Sequence, residues 1–216
     1  MKIFIDFDDV IFNTKKFSSD LFGIFGRHGI TRDEFENSYY TFSKKSQSQG
    51  RHYDPDVQIQ VLKKKNGVDT KSLKSDVDRF LKNLSRYVFS DVECFLKNFP
   101  KKDLFILSYG QAKFQKIKIN GAGIENLVGR IFITKRKKAD VILGLARKYA
   151  FSKKEAIILI DDHPEQLEAA MNTGGKIKAF HLCRKEGRYH DLPCLLRDHS
   201  VKNLKAVARV IKEEKM

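Results

Sequence analysis

Two pairs of acidic residues come directly after apolar runs in this sequence. Asp6 and Asp8 follow the first such run, and Asp161 and Asp162 follow the fourth. Carboxylates that share a cleft repel one another, and a hard divalent cation such as Mg²⁺ relieves that repulsion. Beside such a cation one carboxylate can act as a nucleophile, and a second can donate and accept protons. The acidic pairs therefore indicate metal-assisted chemistry, provided that the fold brings them together.

Hydroxyl and ammonium groups follow the second and third apolar runs. Such groups beside a metal ion make a site for a phosphoryl group, because the metal and a lysine neutralise charge on its oxygens. The four groups of residues together favour phosphoryl chemistry in one cleft. The residues concerned are Ser108, Tyr109 and Gly110 after the second run, and Lys135, Lys137 and Lys138 after the third.

The apolar runs themselves predict the elements that position these side chains. Short all-apolar runs are typical of strands that are buried on both faces of a parallel sheet. Helical patterns at 141–149 and 204–211 alternate with the runs, which predicts an α/β fold with a doubly wound parallel sheet. Ligands of such sheets bind beyond the carboxyl ends of the strands, where all four groups of residues stand. The runs lie at 3–5, 104–107, 130–133 and 156–160, with a fifth candidate at 177–182.

The segment 14–88 has a different pattern and predicts a mainly helical insertion after the first strand. Apolar residues recur at helical spacing in its first and last parts, whereas the alternation of Val57, Ile59 and Val61 leaves helix or strand open there. The polar stretch 43–55 predicts a loop. The predicted organisation is therefore a core of residues 1–13 and 89–216 with a helical domain of residues 14–88.

Composition restricts the class of protein. The chain has 216 residues, of which 41% are hydrophobic, and this is enough for a packed core. No apolar run has the roughly 20 residues that cross a bilayer, and the three cysteines are expected to be free thiols in a reducing compartment, the cytoplasm. The net charge of +15 favours anionic partners, either small substrates or nucleic acid.

Four motifs in order resemble those of the haloacid dehalogenase-like (HAD) superfamily of phosphohydrolases. FIDFDDVIFNT resembles the first motif, FILSYG the second and LIDDHPEQLEAAMNTGG the fourth, while the lysine cluster fits the third. A helical insertion directly after the first motif resembles the C1-type cap. The resemblance extends over nearly the whole chain and implies a Rossmann-like core.

The resemblance also implies roles for the acidic residues. Asp6 corresponds to the nucleophile and a Mg²⁺ ligand. Asp8 corresponds to the general acid and base, and its backbone carbonyl binds the metal. Asp162 corresponds to a direct metal ligand, and Asp161 to a nearby or water-mediated one.

The phosphate-binding residues follow from the second and third motifs. Ser108 is expected to bind the phosphoryl oxygens, with help from backbone amides near Tyr109 and Gly110. Lys138 is expected to bridge phosphate and nucleophile, although Lys135 and Lys137 compete for this role because no proline follows the lysine as it often does in the family.

Two further departures and one loop complete the comparison with the family. Asn13 precedes Thr14 where the family often has an acidic residue, and Gln166 stands where Asp or Asn is frequent. In C1-type members a cap loop selects the substrate. The candidates for substrate contact in this chain are Arg51, His52 and Tyr53.

The expected activity is Mg²⁺-dependent hydrolysis of a small phosphorylated metabolite or nucleotide through an aspartyl-phosphate on Asp6. A phosphotransferase or mutase shares this chemistry. A 2-haloacid dehalogenase needs no metal, so the pair Asp161 and Asp162 argues against it. The charge also permits a nucleic-acid-associated protein with a secondary or vestigial site, although the sequence has no recognised RNA-binding motif or zinc finger.

Overall fold

The structure is a computed structural model that describes residues 1–44, 53–66, 68–152, 154–194 and 197–214. Its centre is a six-stranded sheet in which every pairing is parallel and the strand order is β3-β2-β1-β4-β5-β6. This order reverses between β1 and β4, as in doubly wound folds. The strands are β1 (Lys2–Ile5), β2 (Leu104–Tyr109), β3 (Arg130–Thr134), β4 (Ile157–Asp161), β5 (Lys178–Leu182) and β6 (His199–Val201).

The predicted fold class is confirmed, and all five apolar runs form strands. The sixth strand, β6, was missed because it has only three residues, His-Ser-Val, and no apolar run. The described helices are α1 (Thr14–Arg27), α2 (Arg32–Lys44), α3 (Pro55–Asn66), α4 (Thr70–Leu81), α5 (Val92–Lys97), α6 (Ala112–Ala122), α7 (Lys138–Lys148), α8 (Pro164–Met171) and α9 (Leu204–Glu213).

Burial on both faces explains why three consecutive residues of β1 are apolar. Ile3, Phe4 and Ile5 have no exposed surface. Ile3 and Ile5 pack with residues of α1, α5 and α9, whereas Phe4 packs on the opposite side with residues of α7 and α8. Because successive side chains of a strand point to opposite faces, two helical layers require an uninterrupted apolar run.

The segment 14–88 contains α1 to α4. The ambiguous stretch around Ile59 is helical, since Gln58, Ile59 and Leu62 are buried at helical spacing while Val57 is exposed. The apolar pattern that continues to Val88 spans more than one element, because α4 ends at Leu81 and a short 3₁₀ helix follows. That this segment is a separate domain remains a prediction. None of the helices in the described ranges combines the length and apolar character needed to cross a bilayer.

Gly121, in α6, packs closely against the end of α4 and the residues that follow it. It lies inside α6, and Gly123 caps the helix with a φ of 72°. The carbonyl of Gly121 accepts a hydrogen bond of 2.7 Å from the amide of Leu84. A Cβ atom at Gly121 would be 2.5 Å from the carbonyl oxygen of Leu81 and 3.0 Å from Cγ of Leu84. Alanine therefore cannot fit unless the backbone shifts.

We expect Gly121→Ala to destabilise the protein by about 1–3 kcal/mol, as overpacking does. Gly144→Ala is the matched control, because Gly144 lies in α7 and a Cβ atom added there would meet no atom within 4 Å. That control should instead stabilise the chain by about 0.5–1 kcal/mol through helix propensity. Thermal unfolding of both variants measures the difference, and equal shifts for the two would contradict the prediction.

Candidate functional site

The carboxyl ends of β1 and β4 bring three carboxylates together. Ile5 pairs with Ile160 in the sheet, and the amide of Asp6 donates a 2.9 Å hydrogen bond to the carbonyl of Ile160. The next residues of the two strands therefore lie side by side. Asp6, Asp161 and Asp162 are buried, and each offers a carboxylate oxygen within 4.8 Å of the others. The side chains predicted to share a cleft are thus close enough together to bind one metal ion.

Lys138 is the lysine that reaches this cluster. Its Nζ lies 2.7 Å from Oδ1 of Asp6 and 2.6 Å from Oδ2 of Asp161. The residue begins α7, and its backbone amide donates to Oε1 of Gln166 at 2.9 Å. Burial by itself lowers the pKa of Lys138, but the carboxylates of Asp161 and Asp6 raise it above its ordinary value. The ammonium group is therefore charged and bridges the two acidic pairs.

Lys135 and Lys137 have a different position. Both are exposed, and both line the mouth of the cavity above the cluster. Within the described part of the chain, Lys138 is the one candidate lysine of the three that contacts a carboxylate of the cluster.

The three carboxylates still carry more negative charge than Lys138 can balance. Burial and the neighbouring charges of Asp161 and Asp8 raise the pKa of Asp6 to about 7, against the opposing effect of Lys138. Burial and the charges of Asp6 and Asp161 raise the pKa of Asp162 well above its usual value. Oδ2 of Asp162 is buried and has no hydrogen-bond partner among the described residues. These residues fit a hard divalent cation, with Asp6 and Asp162 as ligands.

The raised pKa of Asp6 predicts how pH and Mg²⁺ act on stability. A carboxyl group with a folded-state pKa of about 7 against an ordinary 3.8 binds its proton more tightly in the folded chain. Without a cation, its contribution to stability is fully present below pH 3.8 and is lost as the pH rises toward 7. Mg²⁺ competes with that proton, so we expect it to raise the melting temperature more at pH 8 than at pH 5.

Thermal denaturation with and without Mg²⁺ at the two pH values measures this effect. A concentration 100-fold above Kd adds about 2.7 kcal/mol, which is about 5–10 °C for a chain of this size. Asp162→Asn should remove most of the shift at pH 8. The same Mg²⁺-induced shift at both pH values would contradict the prediction.

Asp8 is held by donors from two helices. Oδ1 accepts a 2.8 Å hydrogen bond from the hydroxyl of Thr14 in α1, and Oδ2 accepts one of 2.8 Å from Nε2 of Gln115 in α6. Lys118, also in α6, forms an ion pair with Oδ1. Burial alone would raise the pKa of Asp8, but Lys118 and Arg188 hold it below its usual range. The contacts of Gln115 and Lys118 with Asp8 were not predicted from the sequence.

One signal could have revealed Lys118. Phe114 and Ala122 are buried and lie four residues before and after Lys118 in α6. Lys118 therefore falls on the apolar face of an amphipathic helix, where a lysine needs an anionic partner.

Arg188 is a third residue that the sequence did not indicate. It lies in the segment after β5, and its Nε contacts Oδ2 of Asp9. Asp9 has no exposed surface and a positive φ of 58°, and its Oδ1 also accepts a 3.2 Å hydrogen bond from the amide of Thr14. Arg188 also forms part of the wall of the cavity. It could have been suspected by applying the strand-end rule to β5 as well.

The second motif lies beside the cluster at the end of β2. Ser108 is fully buried, and its hydroxyl has no hydrogen-bond partner among the described residues. Tyr109 and Gly110 line the cavity. The amide of Gly110, however, donates a 3.0 Å hydrogen bond to the carbonyl of Thr134. The Gly110 amide is therefore already paired with the end of β3. It does not provide the backbone amide that was expected to bind phosphoryl oxygens together with Ser108.

A cavity of about 730 Å³ lies above the carboxylates. Its floor is formed by Asp6, Asp8 and Asp162, and the segment 14–88 contributes Thr14 and two tyrosines, Tyr39 and Tyr53, to its wall. The opposite wall includes His163, whose ring lies 4.4 Å from that of Tyr189. Pro164 begins α8 directly after His163. The site is therefore a polar chamber with aromatic side walls.

Tyr53 is the predicted substrate contact that the structure describes. Its ring stacks on Tyr39 at 4.2 Å, and its hydroxyl donates a 2.5 Å hydrogen bond to Oε1 of Gln58. Tyr53 lines the cavity, although only 9% of its surface is exposed. Arg51 and His52 lie outside the described residues.

No protein-family model and no curated protein matches the sequence. Solved structures match over nearly the full length. A haloacid dehalogenase-like hydrolase from Burkholderia xenovorans is 17% identical with a TM-score of 0.78 and covers 99% of this chain and 97% of its own. The HAD-hydrolase YfnB of Bacillus subtilis, solved with bound magnesium, is 14% identical with a TM-score of 0.64 and covers 98% of each chain.

An L-2-haloacid dehalogenase is also similar, with 17% identity, a TM-score of 0.65 and coverage of 97% of this chain and 98% of its own. At such identities the likeness shows the fold alone. The chain therefore has the fold of the HAD-like hydrolases, and the resemblance seen in its motifs is confirmed at that level.

Proposed function

We propose that this chain, which has the HAD-like hydrolase fold, is a cytoplasmic Mg²⁺-dependent phosphomonoester hydrolase. The observation that supports the proposal most strongly is the cluster of Asp6, Asp161 and Asp162 with Lys138 across it, at the floor of a polar cavity. A metal-free dehalogenase gains nothing from buried carboxylates that repel each other. A phosphatase uses them to hold Mg²⁺ beside a phosphoryl group.

In the first step, a carboxylate oxygen of Asp6 attacks the phosphorus atom and the bond from phosphorus to the leaving oxygen breaks. Asp8, two residues later, gives a proton to that oxygen. Lys118 and Arg188 favour the ionised form of Asp8, so Asp8 takes up this proton from solvent when the anionic phosphoryl group, which raises its pKa, is bound beside it. In the second step water attacks the phosphorus, Asp8 takes the proton of the water, and the bond between phosphorus and Asp6 breaks. The products are the alcohol and inorganic phosphate, and Asp6 is regenerated.

The remaining residues of the site bind the negatively charged phosphoryl group. Lys138 orients Asp6 and attracts the phosphoryl oxygens, and the unpartnered hydroxyl of Ser108 is available to donate to one of them. Asp6 and Asp162, with the backbone carbonyl of Asp8 as a further ligand and Asp161 nearby, would hold Mg²⁺, which would neutralise charge on the phosphoryl group.

We further propose that residues 14–88 act as a cap over this cavity. Tyr39, Tyr53 and Thr14 from this segment form part of its wall, so a movement of the helices would open and close it. The positive exterior, with a net charge of +15, favours a small phosphorylated metabolite or nucleotide as substrate.

The experiment that tests the proposal is a hydrolysis screen over phosphorylated metabolites and nucleotides, with Mg²⁺ and with a chelator. A 2-haloacid and a sugar phosphate acceptor in the same screen detect a dehalogenase and a phosphotransferase. We expect release of inorganic phosphate only with the metal. Activity on the haloacid alone, or no activity on any phosphomonoester, would refute the proposal.

A further inference from the structure

Lys118 is a buried cation beside the cluster that the steps above do not use. Only 3% of its surface is exposed, and Asp8 is the carboxylate with which it pairs within the described part of the chain. Its Nζ is also surrounded by aromatic rings. The ring centroids of Phe7, Phe12, Phe17 and Phe114 lie at 5.4, 5.3, 5.9 and 5.5 Å.

This surrounding fixes the ammonium group in place. Burying a lysine in an apolar wall is costly, and the faces of aromatic rings recover part of that cost through cation–π attraction. Phe7 and Phe12 come from the loop after β1, whereas Phe114 comes from α6. With Phe17 from α1, the position of Nζ is therefore set by three parts of the chain that meet only in the folded protein.

Gln115 supports Asp8 from the same helix. Its Nε2 donates to Oδ2 of Asp8 at 2.8 Å and to the carbonyl of Tyr109 at 3.1 Å. It packs so closely on Gly110 that a Cβ atom there would be 2.8 Å from Nε2. Gln115 thus connects the second motif to the first through a side chain with little freedom to move.

We propose that Lys118 and Gln115 are positioning residues that hold the Asp8 carboxylate toward the cavity. The inference rests on the proposed function, in which Asp8 gives its proton to the leaving oxygen. Lys118 and Thr14 contact Oδ1 of Asp8, and Gln115 donates to Oδ2, so rotation of the carboxylate breaks three contacts. The same contacts favour the ionised form of Asp8, so what they contribute to proton donation is the direction in which the carboxyl group faces the leaving oxygen. A purely structural ion pair would anchor α6 without a selective effect on proton transfer.

Two probes with different leaving groups separate these alternatives. The nitrophenolate of p-nitrophenyl phosphate leaves without a proton, whereas the alkoxide of glycerol 2-phosphate needs one. The value of kcat/KM reports the steps up to phosphorylation of Asp6, in which the leaving oxygen is protonated. General acid catalysis contributes about 10²–10⁴-fold.

We expect Lys118→Met to lower kcat/KM for glycerol 2-phosphate by about 10²-fold and for p-nitrophenyl phosphate by less than about tenfold. Lys118→Arg should restore part of the lost activity on glycerol 2-phosphate because arginine keeps a donor for Oδ1 of Asp8. Lys116→Met is the matched control, since Lys116 is exposed on the same helix and does not line the cavity. It should leave both values unchanged.

A double-mutant cycle with Asp8→Asn sharpens the test. If Lys118 acts through Asp8, adding Lys118→Met to Asp8→Asn should cause little further loss for glycerol 2-phosphate. Equal losses for both substrates in Lys118→Met, or additive losses in the double variant, would overturn the inference.

Gln115→Met keeps the ion pair and gives a second measure if Lys118→Met does not fold. It should show the same selective loss on a smaller scale, and a uniform loss would again overturn the inference. Wild-type protein that hydrolyses neither probe nor any other phosphomonoester refutes the proposed function and this inference together. Active wild type with uniform losses refutes only the inference.

Discussion

Asp6→Asn should lower the rate of phosphomonoester hydrolysis by at least about 10³-fold, as the loss of a nucleophile does in enzymes that form a covalent intermediate. An amide of the same shape cannot form the acyl phosphate. The fold should persist, because the substitution removes one of three buried carboxylates that repel each other and leaves Lys138 paired with Asp161.

Two measurements check this expectation. Steady-state phosphate release gives the loss of rate, and acid-quenched wild-type enzyme should gain the mass of one phosphoryl group that Asp6→Asn does not gain. Asp140→Asn is the matched control, since Asp140 is exposed in the first turn of α7. Full activity in Asp6→Asn would exclude Asp6 as the nucleophile.

Lys138→Met should have the largest effect on stability. Nζ of Lys138 is almost fully buried and pairs with both Asp6 and Asp161, so its removal leaves two buried carboxylates without their cation. Breaking a buried ion pair in this way costs about 3–5 kcal/mol. For a chain of this length the melting temperature should fall by about 10 °C, and hydrolysis should fall with it.

The loss of stability in Lys138→Met should depend on pH. The pKa of Asp6 is about 7 even with Lys138 present, and without the lysine its carboxyl can be protonated at still higher pH. The destabilisation by Lys138→Met should therefore be smaller at pH 5 than at pH 8, where the folded chain must hold unpaired negative charge.

Lys135→Met and Lys137→Met are the controls for this prediction. Both lysines are exposed, so each substitution should change stability by less than about 0.5 kcal/mol. The three variants together also decide which lysine of the third motif serves the reaction. A larger loss of activity in Lys135→Met or Lys137→Met than in Lys138→Met would reassign that role.

The sequence by itself determined the sheet and the floor of the site. An apolar run buried on both faces forms a parallel strand wherever helices cover it, and the residues after it must appear at the carboxyl edge. This local rule placed Asp6 beside Asp161 and Asp162. It also placed three lysines after β3, and the tertiary structure showed that Lys138, which begins α7, contacts Asp6 and Asp161.

Only the tertiary structure decided which groups hold Asp8 and Asp9. Lys118 is 110 residues from Asp8 in the sequence, and Arg188 is 179 residues from Asp9. Their encounters depend on how α6 and the segment after β5 pack against the loop after β1. Composition and periodicity carry no information on such a distance between side chains. A lysine on an apolar helix face indicates that a partner must exist, but packing alone selects that partner.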